Sequence, residues 1–135
     1  VVETIRLRTI DDVVLAFLEP NVDLGRDLPR WYAAMNQPGI RKTLVLAVGP
    51  VISEPDRRRL TVGLIKERAL RMVVVTNDRH NLRLVAMFSY LGVEVATFDW
   101  AGLEQAARSV AAQPEHVPLL VRVALQLRAA SAAAG

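Results

Sequence analysis

A chain of 135 residues, 52% hydrophobic and 23% charged, has the size and make-up of one globular domain with a real core. The 17 basic residues exceed the 14 acidic ones by only three, for a net charge of +3. The arginines are dispersed along the chain, which argues against nucleic-acid binding. Cysteine is absent, so disulfides, thiolate nucleophiles and cysteine-based zinc sites are excluded, and a cytoplasmic location is the natural expectation.

Aromatic residues make up only 5%, so the core is expected to be aliphatic. No run reaches the ~18 apolar residues of a membrane span, and the opening VVETIRLR lacks the layout of a signal peptide. Residues 3–10 alternate polar and apolar, Asp11-Asp12 reads as a turn, and Val13 to Leu18 is a continuous apolar run. Together they predict an N-terminal hairpin whose second strand is the more buried. Pro20 ends it. Asp27 then reads as a helix N-cap with Pro29 in the first turn. Leu28, Trp31, Tyr32 and Met35 follow at helical spacing, which predicts packing for both aromatic residues. Gln37-Pro38-Gly39 stops this helix.

The apolar run Thr43 to Val48 predicts a strand covered on both faces. Gly49-Pro50 breaks it, and Ser53 stands three residues before Asp56, in the manner of a capping box. A helix is expected from about Glu54 to Ala69, capped by Ser53, with Leu60, Leu64 and Ile65 inward. Arg57, Arg58 and Arg59 follow one another, but consecutive residues fan about 100° apart around a helix and form no flat patch. Met72 to Thr76 is the next predicted strand, and Asn77 to Asn81 a polar loop.

The helix predicted from about His80 to Leu91 carries two apolar stripes. One holds Leu82, Val85 and Ala86; the other holds Leu84, Met87, Phe88 and Leu91. A helix on a sheet needs one stripe, so the second is expected either beneath the C-terminal helix or on a partner. Val93 to Phe98 predicts a further strand, and Asp99 a cap for a helix through about Ala112. After the break at Gln113-Pro114, a last helix spans 117–130. Strands separated by helices imply parallel pairing with right-handed crossovers.

No motif of established chemistry emerges. His80 and His116 are the only histidines, and neither has the spacing of a metal set. There is no GxGxxG, Walker A or G-x-S-x-G sequence, and a hairpin turn accounts for Asp11-Asp12. No catalytic residue, metal or cofactor is therefore assigned.

The order of elements resembles the STAS domain of anti-sigma factor antagonists, in its divergent SpoIIAA-like or STAS/SEC14-like branch. The resemblance rests on TLVLAVG (43–49), RRLTVGLIKERAL (58–70), RMVVVTNDR (71–79), LGVEVATFD (91–99) and LEQAARSVA (103–111). It covers most of residues 3–112 and leaves the helix 117–130 outside the core pattern. It implies a mainly parallel mixed sheet of about five strands with an N-terminal hairpin and helices packed on it. It also implies a non-enzymatic, bacterial regulatory module that binds a protein partner and is switched by a partner kinase.

Ser53 falls nearest the phosphorylated serine of that family. The family's acid–Ser–Ser–Gly motif is absent, and Glu54 and Asp56 would repel a phosphate there. The partner surface is expected to involve Arg57, Arg58, Asp78, Arg79, His80, Leu84, Met87 and Phe88. One alternative is a small α/β enzyme or ligand-binding protein, with Asp78, Arg79 and His80 lining a polar pocket in the 77–81 loop. Another is a homo-oligomeric scaffold assembled through Leu84, Met87, Phe88 and the last helix.

Overall fold

The computed structural model describes residues 3–134. Five strands form one sheet in the order of the sequence: β1 (Ile5–Ile10), β2 (Val13–Leu18), β3 (Lys42–Ala47), β4 (Arg71–Val75) and β5 (Val95–Phe98). β1 and β2 pair antiparallel, and every later pair is parallel. The α/β class, the hairpin and the parallel core all agree with the expectation. Asp11 takes a φ of 54° between paired Ile10 and Val13, a conformation that aspartate tolerates better than most residues.

Each inner strand reads as apolar throughout because both faces of the sheet are covered. Val14, Ala16, Leu18, Val45, Ala47, Met72 and Val74 face α1 (Leu28–Met35), α2 (Pro55–Glu67) and α3 (Arg79–Tyr90). Val13, Leu15, Phe17, Leu44, Leu46, Val73 and Val75 face α4 (Leu103–Val110) and α5 (Val117–Ala134). The register aligns Leu15 with Leu44 and Val73, and Phe17 with Leu46 and Val75, so one face presents continuous rows of large side chains. The other face sets Leu18 beside the small Ala47. Three helices thus lie over one face and two over the other.

Three helical expectations change. The cap of α2 is Glu54, extended at φ −80° and ψ 145°, and no side chain caps the helix. Ser53 lies one residue too early for the role expected of it. Within α2, Thr61, Val62 and Ile65 are buried, whereas Leu60 is 64% exposed. With Thr61 and Ile65 inward, Leu60 is turned about 100° from the first and about 140° from the second. Finally, α5 lies across the sheet from α3. It therefore cannot cover the second stripe of α3. That stripe is split instead: Phe88 is buried against the sheet, Leu84 and Met87 are half-buried, and Leu91 is exposed.

Asp27 does occupy the N-cap position of α1, but its carboxylate makes no cap. It accepts hydrogen bonds from the Thr4 backbone N–H (2.7 Å) and hydroxyl (2.8 Å), tying α1 to the start of β1. At the far end of α3, Gly92 adopts φ 94°. This left-handed helix stop favours glycine.

Candidate functional site

The C-terminal ends of parallel strands are where ligands bind in open α/β sheets. A cavity of about 220 Å³ lies at that end, between the sheet and the first three helices. Its floor is Leu18, Val45, Ala47, Met72 and Val74. Leu28 and Trp31 of α1 and Leu84, Val85 and Phe88 of α3 form its walls. The short side chain of Ala47 leaves space that the larger side chains around it do not fill.

The mouth is built from residues 23–25, 51–54 and 57–58. Asp23 pairs with Ile52 in an isolated parallel bridge, which draws the segment before α1 across to the segment before α2. Its carboxylate accepts hydrogen bonds from the Gly25 N–H (2.8 Å) and from Arg57 Nη1 (2.7 Å). The Gly25 hydrogen bond, followed by the Arg57 charge, outweighs desolvation and holds Asp23 below the usual carboxylate range. A Cβ on Gly25 would overlap the Arg57 guanidinium, so glycine is what lets the arginine close against this loop.

The three arginines of α2 therefore diverge in role. Arg57 joins Asp23, and Arg59 points outward to Asp56 at 3.3 Å. Arg58 lines the cavity mouth and makes no salt bridge among the described residues. Thr61 is buried and hydrogen-bonds the Tyr32 hydroxyl at 2.7 Å and the Arg57 carbonyl at 3.0 Å. Trp31 is buried as well, and its indole N–H donates to the Thr43 hydroxyl at 3.3 Å. It is both a core residue and a wall of the cavity.

Asn81 organises this end of the sheet. It is 4% exposed. Its amide nitrogen donates to the Gly49 carbonyl (2.8 Å) and the Thr76 hydroxyl (3.1 Å), while its oxygen accepts the Val51 N–H at 2.9 Å. Both amide hydrogens and the carbonyl are thus used. They join the loops after β3 and β4 to the first turn of α3. The sequence places Asn81 only at the end of a polar loop; the one available signal is an asparagine on the inward face of an apolar helix.

The remaining candidates are dispersed. Asp78 is half-buried, and its carboxylate caps α3 by accepting the Asn81 N–H at 3.1 Å. Arg79 and His80 are exposed. Of residues 77–81, Asn81 alone lines the apolar cavity, and the polar pocket expected from Asp78, Arg79 and His80 is not found among the described residues. Ser53 is half-exposed at the mouth, close in sequence to Arg57 and Arg58. Leu84 and Phe88 line the cavity and Met87 is half-buried, so the three do not make one exposed stripe. His116 pairs with Asp11 at 2.6 Å at the opposite end of the sheet. Among the described residues, no group of three or more His, Asp or Glu side chains could hold a metal ion, and no helix is long and apolar enough to cross a membrane.

Comparison with family models, curated proteins and solved structures returns no match.

Proposed function

We propose that this chain is a non-catalytic binding domain that holds a small apolar ligand in the strand-end cavity. The observation that carries this reading is an apolar cavity, open at one side, at the sheet end where α/β proteins bind ligands, with a few polar groups at its mouth. Among the described residues that line it, the Thr61 hydroxyl is engaged by Tyr32 and the Arg57 carbonyl, Asp23 by Gly25 and Arg57, and both histidines lie elsewhere. The STAS-like order of elements supports a regulatory setting, in which occupancy of the cavity alters the surface around it.

A protein partner is the second reading, favoured by Ile52 at the mouth, 50% exposed, and by Leu60 on the outer face of α2, 64% exposed. Such a partner would read the mouth rather than the Met87–Phe88 stripe.

A neutral probe tests the binding reading. Decanol is expected to bind the wild type in calorimetry and to change the fluorescence of Trp31. Ala47→Leu, which places a larger side chain on the cavity floor, is expected to abolish both signals while the protein stays folded. Absence of decanol binding to the wild type, or undiminished binding to Ala47→Leu, would overturn the reading.

A further inference from the structure

The mouth carries more information than the cavity behind it. Four charged side chains border the opening: Asp23, Glu54, Arg57 and Arg58. Arg57 lies 2.7 Å from Asp23 and 3.8 Å from Glu54, so both carboxylates are directed to the same guanidinium. Arg58 is left as the cation at the mouth with no carboxylate partner among the described residues. An apolar ligand entering here passes a guanidinium that still has its full set of donors to offer.

The size of the space restricts the ligand. At about 220 Å³ it lies below the roughly 300–1,000 Å³ of drug-sized sites, which favours one alkyl chain over a fused ring system. The floor runs from the mouth down β4 from Val74 to Met72. That is two residues of strand, or ~7 Å at about 3.3 Å per residue. An apolar cavity with an unpaired arginine at its open end matches an amphipathic anion.

From this we infer that the cavity takes a medium-chain aliphatic carboxylate, its alkyl chain along β4 and its carboxylate on Arg58. The inference rests on the binding reading above and goes further by naming the ligand class. Arg58 offers a planar pair of N–H donors suited to the two oxygens of a carboxylate. Arg57 is already engaged by Asp23, so it frames the mouth rather than binding the head group. No bond is made or broken; the ligand is held and released.

Three ten-carbon probes separate head-group recognition from cavity filling: decanoate, decanol and decyltrimethylammonium, all below their micellar concentrations. Calorimetry at neutral pH is expected to rank decanoate above decanol and decanol above the cation. Arg58→Gln should weaken decanoate about tenfold, the scale of one charge-assisted hydrogen bond, and change decanol less than twofold. Arg59→Gln removes the neighbouring outward arginine and should leave all three unchanged, which excludes a general effect of net charge. Hexanoate, octanoate and decanoate should tighten about fourfold per methylene until the cavity is full.

Decanol binding as tightly as decanoate would overturn the inference while leaving the binding reading intact. So would an equal loss from Arg58→Gln and Arg59→Gln. Failure of all three probes would remove the binding reading itself. Should Arg58→Gln fold poorly by its melting midpoint, the ranking on the wild type decides alone.

Discussion

At the scale of single residues, Asn81 and Asp27 each tie together segments far apart in sequence on the cavity side of the sheet. Removing Asn81 strands the buried Val51 N–H and the Gly49 carbonyl, and each unpaired buried group costs about 1–3 kcal/mol. Asn81→Leu is therefore expected to lose at least ~2 kcal/mol in urea denaturation; a loss under ~0.5 kcal/mol would contradict the hub role. Burial raises the Asp27 pKa, but the Thr4 hydrogen bonds and the Arg30 charge outweigh it and leave the carboxyl below its ordinary value. A depressed carboxylate stabilises the fold above its unfolded pKa of about 3.9 and loses that contribution as pH falls through the folded value. Asp27→Asn should therefore be less stable than the wild type at pH 7, with the gap closing below about pH 4. A pH-independent gap would assign the effect to packing. Ser53→Ala should leave the melting midpoint unchanged, because the cap position belongs to Glu54; a clear fall would restore a capping role to Ser53.

At the scale of elements, strands proved easier to read than helix faces. Val13 to Leu18 and Leu44 to Ala47 are unbroken apolar runs of the short length that a strand covered on both sides uses. Helix α2 was harder: Ile65 is buried as expected and Leu64 is half-buried against the core, but Leu60 is exposed, and Thr61 and Val62 complete the inward face. Thr61 is tolerated there because Tyr32 and the Arg57 carbonyl satisfy its hydroxyl, and pairing across elements is invisible in a linear pattern. Leu60→Gln should accordingly change stability by less than ~0.5 kcal/mol, as for other surface substitutions. A loss of about 2 kcal/mol or more, the scale of a buried leucine, would place Leu60 in the core after all. The two stripes of α3 were visible in the sequence. Their partners were not, since Leu84 and Phe88 face a cavity, and a pattern of side chains does not record a void.

At the scale of the whole molecule, the sheet separates two differently packed layers. Under α4 and α5, aligned rows of Leu, Phe and Val are closed by Leu120, Ala124 and Leu127. Under α1 to α3, Ala47 and the loop bridge Asp23–Ile52 leave an apolar space with a charged mouth. The order of elements made the fold legible, whereas the site depends on Arg57, Asp23 and Asn81 meeting from segments far apart in sequence. The most direct test of that space as a binding site is a methyl-detected NMR titration with decanol. Shifts are expected to concentrate at Leu18, Val45, Val74 and Val85, with Leu120 and Leu127 on the other face unmoved. Saturating shifts confined to the α4–α5 face, or none at all, would contradict it.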